Sequence, residues 1–165
     1  MLAATLAVAA CGEESAPTQR VSLAGLRLQD LEGQSVELAS YLGKGPLILD
    51  FWATWCKPCI TALPELQRLH TDLTPRGVQI VGVNEDGPRN APKVKPFAKT
   101  HGIDFPIVLD LNRAAQSQLQ VSVLPTTLLL DSKGTVVRTS FGYRPGEIDA
   151  LRKAAEALLD KAPKQ

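Results

Sequence analysis

Aromatic residues and histidines are scarce in this sequence. Phe, Trp and Tyr make up 5% of 165 residues, and only two histidines occur, His70 and His101. Apart from the cysteines these imidazoles are the only soft metal ligands. One falls near the end of the helix that follows the cysteine pair and the other on a later helix. Each reads as a surface residue, so no metal is expected. An excess of one charge is also missing. The 18 Lys and Arg against 17 Asp and Glu leave a net charge of +1, so no basic field points to nucleic acid. No apolar run approaches the roughly 18 residues that a spanning helix needs. Cysteine is limited to Cys11, Cys56 and Cys59. An odd count argues against a purely structural disulfide framework, and one close pair cannot supply a four-thiolate zinc site. What is left, 44% hydrophobic and 21% charged, is the composition of a soluble globular domain long enough to bury a core without disulfide staples.

Residues 2–10, Leu-Ala-Ala-Thr-Leu-Ala-Val-Ala-Ala, form a short apolar run ending in small residues, the pattern of an export signal. Val8-Ala9-Ala10-Cys11 resembles the lipobox of bacterial lipoproteins, although no Lys or Arg precedes the apolar run. That resemblance implies cleavage before Cys11 and a lipid on its sulfur. Residues 1–10 are then an export signal, and 11–22 a lipidated cysteine with a flexible tether, since 12–20 are polar and small and include a proline. A lipid there holds the domain at a membrane surface, on the oxidising, periplasmic side of a bacterial envelope.

The folded part is expected from about residue 23 to residue 161. Residues 26–30 and 34–38 read as a hairpin around Glu32-Gly33. Ala39–Leu42 reads as one helical turn, and Leu47 to Trp52 as a buried central strand. Ile60, Leu63, Leu66 and Leu69 recur at helical spacing, and Leu73 follows four residues on. Further strands are expected at 78–83, 105–109, 126–130 and 136–141. Further helices are expected at 94–101, 112–120 and 146–161. Early βα units with right-handed crossovers and a late hairpin predict an α/β protein with a mixed sheet and helices on both faces.

The chemistry concentrates in Phe51-Trp52-Ala53-Thr54-Trp55-Cys56-Lys57-Pro58-Cys59. Disulfide exchange needs an attacking thiolate and a resolving thiol within bonding reach. Two intervening residues at a helix start place Cys56 at the helix edge and Cys59 about one turn in. Unpaired N–H groups and the helix dipole stabilise an anion on Cys56, and Lys57 adds a positive charge. Pro58 sits where its missing N–H costs nothing. The pattern predicts an exposed, nucleophilic Cys56 and a recessed, resolving Cys59. The same spacing also fits half a zinc site or a structural bridge. A c-type haem motif needs His after the second cysteine, where Ile60 stands. A peroxidatic cysteine needs a proline and threonine spacing that Cys56 lacks.

The apolar strand, the Trp-Cys-x-Pro-Cys core and the helix after it are similar to the active-site segment of thioredoxins. The Phe-Trp-Ala-Thr-Trp-Cys run, the N-terminal hairpin and an inserted helical segment between Asn84 and Phe105 resemble the TlpA/ResA-like, membrane-tethered branch. The resemblance implies a thioredoxin fold and a redox-active Cys56–Cys59 disulfide in place of any cofactor. It implies a cis-proline at Pro125 in Val123-Leu124-Pro125-Thr126-Thr127, baring the Leu124 backbone to a substrate strand, with Trp55, Lys57 and Pro58 lining the same surface. An ordinary trans proline before a strand is the alternative.

The resemblance also nominates two acids. Asp50, within the apolar strand, matches a buried acid that assists the resolving cysteine, and burial there raises its pKa. Glu85 lies where ResA-like proteins carry an active-site Glu. Asp86 competes with it, and both also fit a solvated loop with Gly87-Pro88.

As function, the resemblance implies a monomeric reductase of disulfides in exported proteins, apocytochrome c among them, supplied with electrons by a membrane donor of the DsbD/CcdA type. An oxidase or isomerase of the same fold, or a non-catalytic metallochaperone, remains open. Cys-x-x-Cys proteins span about −270 to −120 mV, so Lys57-Pro58 favours reduction only mildly.

Overall fold

All six residues of Leu47–Trp52 are buried, and this strand lies in the middle of the sheet. The computed structural model describes residues 19–161; the expected export signal and the lipidation at Cys11 lie outside them. In chain order the strands are β1 (Gln19–Arg20), β2 (Arg27–Asp30), β3 (Ser35–Glu37), β4 (Leu47–Trp52), β5 (Gln79–Asn84), β6 (Ile107–Leu109), β7 (Thr126–Leu130) and β8 (Thr135–Phe141). The helices are α1 (Lys57–Leu73), α2 (Ala91–Thr100), α3 (Ala114–Gln118) and α4 (Glu147–Lys161), with short 3₁₀ turns at Leu38–Tyr41 and Thr74–Arg76.

The eight strands form one sheet in the order β1-β8-β7-β4-β5-β6-β2-β3. β4, β5 and β6 run parallel; the other pairings are antiparallel. The mixed sheet expected from the element order is therefore present, with the β2–β3 hairpin closing one edge against β6.

Strand side chains alternate between two cores, as the period of two requires. Ile48 and Trp52 pack with α1, α2 and α4 through Leu63, Leu66, Val94, Ile148 and Leu151. Leu47, Leu49 and Phe51 face the other way, onto Leu38, Ala115 and Leu119. Alternation puts Asp50 on the α1 side, between Ile48 and Trp52. Gly82 makes room there: a Cβ would sit 2.9 Å from Trp52 Nε1 and 3.0 Å from the Phe105 ring.

Several expected boundaries move. The tether was expected to run to residue 22, yet Gln19 and Arg20 pair with Val136 and Thr135, the Val21 N–H donates to the Gly134 carbonyl, and Leu23 is buried. A two-residue strand has no periodicity to betray it; the open edge of β8 creates it. The helix expected over 112–120 shrinks to α3. Asp110 caps it by accepting the Ala114 and Gln116 amides at 2.8 Å each, and Gln120 takes a left-handed φ of 55° just beyond its end. α2 starts earlier than expected because Pro92, near its first turn, has no N–H to leave unpaired.

Candidate active site

The β4 strand runs into a short loop, Ala53–Trp55, and the loop into α1. Cys56 is the N-cap of that helix, in extended conformation, and its Sγ accepts the Cys59 N–H at 3.3 Å. Pro58 occupies the first turn, where the helix has no use for its donor. Cys56 and Cys59 are joined by a disulfide. The helix start therefore supplies a donor to the Cys56 sulfur, the means by which an N-terminal position favours a thiolate.

The expectation of an exposed Cys56 is corrected. It is 6% exposed and Cys59 1%. The Cys56 sulfur is turned inward toward Cys59 and its amide, and solvent meets Trp55, Lys57 and Pro58 instead. The asymmetry between the two cysteines survives, because Cys56 lines a surface cavity that Cys59 does not.

That cavity has a volume of about 400 Å³ and is bounded by Trp55, Cys56, Lys57, Pro58, Glu85 and Leu124, together with Arg113, Gln116, Ser122 and Val123. The Leu124–Pro125 bond is cis, as the resemblance implied, and Leu124 is half-buried on the wall. The exposed large hydrophobic residues, among those described, are Trp55, Val123 and Phe141. Trp55 and Val123 line the cavity with Cys56, and Phe141 is the register partner of Thr126, next to the cis-proline Pro125.

Both nominated acids are buried. Asp50 is 2% exposed, and its Oδ1 accepts the Thr127 hydroxyl at 2.8 Å from the facing strand. Burial pushes its pKa up to about 7, and the Thr127 hydrogen bond only partly offsets this. Glu85 is 5% exposed, and neither carboxyl oxygen has a hydrogen-bond partner among the described residues. Its pKa rises to about 8, mainly through burial and further through Asp110, against the pull of the Arg113 guanidinium.

The solvated-loop alternative for Glu85 and Asp86 fails, since Asp86 is also buried. The two acids part company in what they face. Glu85 borders the cavity, whereas Asp86 hydrogen bonds Thr54 and Asn84.

Sequence reasoning missed Arg113, Gln116 and Ser122. Arg113 lines the cavity and holds a left-handed φ of 58° before α3, which nothing in Asn112-Arg113-Ala114 announces. The first amides of α3 are held by Asp110, three residues before the N-cap Arg113, a spacing outside the usual N-cap pattern. No group of three or more His, Cys, Asp or Glu suited to a metal occurs among the described residues.

The sequence pattern of the AhpC/TSA family matches residues 20–139. The chain is 39% identical over 115 residues to the thiol-disulfide oxidoreductase ResA of Bacillus subtilis, a match covering 70% of this chain and 63% of that protein; it thus spans under two thirds of that relative's length. Among solved structures, a putative thiol:disulfide interchange protein DsbE from Chlorobium tepidum superposes with a TM-score of 0.76 at 27% identity, covering 85% of this chain and 96% of that one. An uncharacterized thioredoxin-like protein from Porphyromonas gingivalis does so with a TM-score of 0.71 at 30% identity, covering 92% and 97%. By sequence and by fold, the chain belongs to the AhpC/TSA family, among its ResA/TlpA-like thioredoxins.

Proposed function

We propose that this protein is a thiol–disulfide oxidoreductase that reduces disulfides in exported proteins. The observation that carries the reading is the disulfide pair at the start of α1, with Cys56 as N-cap beside a cavity large enough for part of a substrate chain.

In the dithiol form, the Cys56 thiolate attacks one sulfur of a substrate disulfide. A mixed disulfide forms and the other substrate sulfur leaves as a thiolate. Glu85, protonated near neutral pH and bordering the cavity, is suited to give that sulfur a proton. Cys59 then loses its proton to Asp50, the buried base on the α1 side of β4, and attacks the Cys56 sulfur. The second substrate sulfur leaves, and Cys56–Cys59 becomes the disulfide seen here. Two electrons pass to the substrate, and a dithiol donor must return them. The Leu124 backbone and the Trp55, Lys57 and Pro58 surface hold the substrate segment in an extended form.

The finer parts of the reading are the sequence's. A lipid on Cys11 anchors the domain outside the cytoplasmic membrane, a DsbD/CcdA-type membrane protein supplies electrons, and apocytochrome c thiols are one substrate class. No helix among the described residues is long and apolar enough to cross a membrane.

Reduction of insulin by dithiothreitol, followed by turbidity, tests the activity. The protein should accelerate it and Cys56→Ser should abolish the acceleration; retained activity refutes Cys56 as nucleophile. A midpoint potential near −120 mV, the oxidising end for this motif, would overturn the reductive direction.

A further inference from the structure

Thr54 and Asp86 bridge the gap between the Ala53–Trp55 loop and the end of β5. Asp86 Oδ1 accepts the Thr54 hydroxyl at 2.6 Å, and Oδ2 accepts the Thr54 N–H at 2.9 Å. Asn84 Nδ2 donates to the same Oδ2 at 2.6 Å, and the Asp86 N–H donates back to Asn84 Oδ1 at 3.1 Å. Asp86 is 8% exposed and Asn84 2%. Three donors converge on one buried carboxylate, and two of them come from a single residue, which fixes that residue in both position and direction.

Thr54 stands two residues before Cys56. Inside the loop the other backbone tie is the Cys56 N–H donating to the Ala53 carbonyl at 3.1 Å. The Glu85 N–H donates to the Trp52 carbonyl at 2.9 Å, so the ends of β4 and β5 are joined on both sides of the turn into the active site. No part of the thiol–disulfide mechanism above uses Asp86.

We propose that Asp86 is a positioning residue for the nucleophile: its carboxylate pins Thr54, and through Thr54 it holds Cys56 at the helix cap with its sulfur against the Cys59 N–H. The inference rests on the reading of Cys56 as the attacking thiol. Without the pin, the loop keeps one backbone tie, and the sulfur no longer has a fixed distance to its donor. A donor matters more to a thiolate than to a thiol, so its loss raises the thiol pKa of Cys56 and slows its reaction. Asp86→Ala also strands the Thr54 and Asn84 donors in a buried place and lowers stability. A readout of thiol ionisation is therefore needed beside one of folding.

The test is the rate of Cys56 alkylation by iodoacetamide against pH, in a reduced Cys59→Ser background, with the Cys56 peptide followed by mass spectrometry. Asp86→Ala should move the midpoint up by about one pH unit, roughly tenfold slower reaction below it. Thr54→Val should shift it the same way by less. Asp86→Asn can still accept the Thr54 N–H and should restore most of the parent profile. Leu38→Ala, buried in the core on the opposite side of the sheet from Ala53 and Cys56, is the control for destabilisation alone and should leave the profile in place.

A folded Asp86→Ala with the parent profile, or an equal shift in Leu38→Ala, overturns the proposal. If Asp86→Ala does not fold, an unshifted Thr54→Val overturns it. The readout needs no disulfide substrate. Failure of the oxidoreductase reading would appear as no insulin reduction by the parent protein, whatever the alkylation profile shows.

Discussion

Asp50 and Thr127 are direct partners in the antiparallel register of β4 and β7, and the Thr127 hydroxyl donates to the Asp50 carboxylate at 2.8 Å in the interior of the sheet. One hydrogen bond does not replace the water lost by a buried carboxylate, so the folded pKa stands near 7 against 3.8 for a free Asp.

The consequence for stability has a definite sign. Below about pH 4 Asp50 is protonated in both folded and unfolded chains, and burial costs little. Between about pH 4 and about pH 7 the folded chain retains a proton that the unfolded chain has released, so this group makes stability fall as pH rises, levelling off above about pH 7. Asp50→Asn removes that slope. It should be about 1–3 kcal/mol less stable than the parent near pH 4, the cost of one unpaired amide, and about 1–3 kcal/mol more stable near pH 8, where the parent bears its buried charge. Urea unfolding at the two pH values measures the difference. Equal slopes in parent and variant would contradict the assignment.

Glu85 gives a second titration, higher in pH. Its protonated form prevails until about pH 8, so proton donation into the cavity should fade as pH rises through that value. Glu85→Gln keeps the shape of the side chain without the titration. Its insulin-reduction rate should lose the alkaline limb centred near pH 8 and fall roughly 100- to 10,000-fold at neutral pH, the range for a lost general acid. A variant with the parent's pH profile would remove Glu85 from the chemistry.

Gly82 tests the packing that carries the site. A methyl group there meets Trp52 Nε1 at 2.9 Å and Phe105 at 3.0 Å, and Trp52 ends the strand that leads into the cysteine loop. Gly82→Ala should cost about 1–3 kcal/mol, read as a lowered Tm. An unchanged Tm would mean that the Trp52 ring yields freely.

The parts of this molecule legible in its sequence are those fixed by local pattern. Leu47–Trp52 announced a central strand by lacking polar residues save Asp50, and Cys56-Lys57-Pro58-Cys59 announced a helix start by the placing of its proline. Leu124-Pro125 was read through resemblance, and the cis bond is present. What escaped depends on distant partners. Gln19–Arg20 becomes a strand only because β8 offers an open edge. Arg113, by contrast, was hidden by a local conformation: it lines the cavity and holds a left-handed φ just before α3. The division between Glu85 and Asp86, adjacent residues of like charge, was settled by Thr54, 32 residues earlier in the chain. The inward turn of the Cys56 sulfur was missed because spacing places a residue on a helix without saying how its side chain sits.

Trapping of the mixed disulfide tests the central claim most directly. Reduced Cys59→Ser protein, mixed with a disulfide-containing substrate such as insulin, should accumulate a covalent adduct on Cys56, located by peptide mass and released by dithiothreitol. Cys56→Ser should form none. An adduct on Cys59 in Cys56→Ser protein, or none on Cys56 when Cys59 is removed, would contradict the assignment of Cys56 as attacker and Cys59 as resolver.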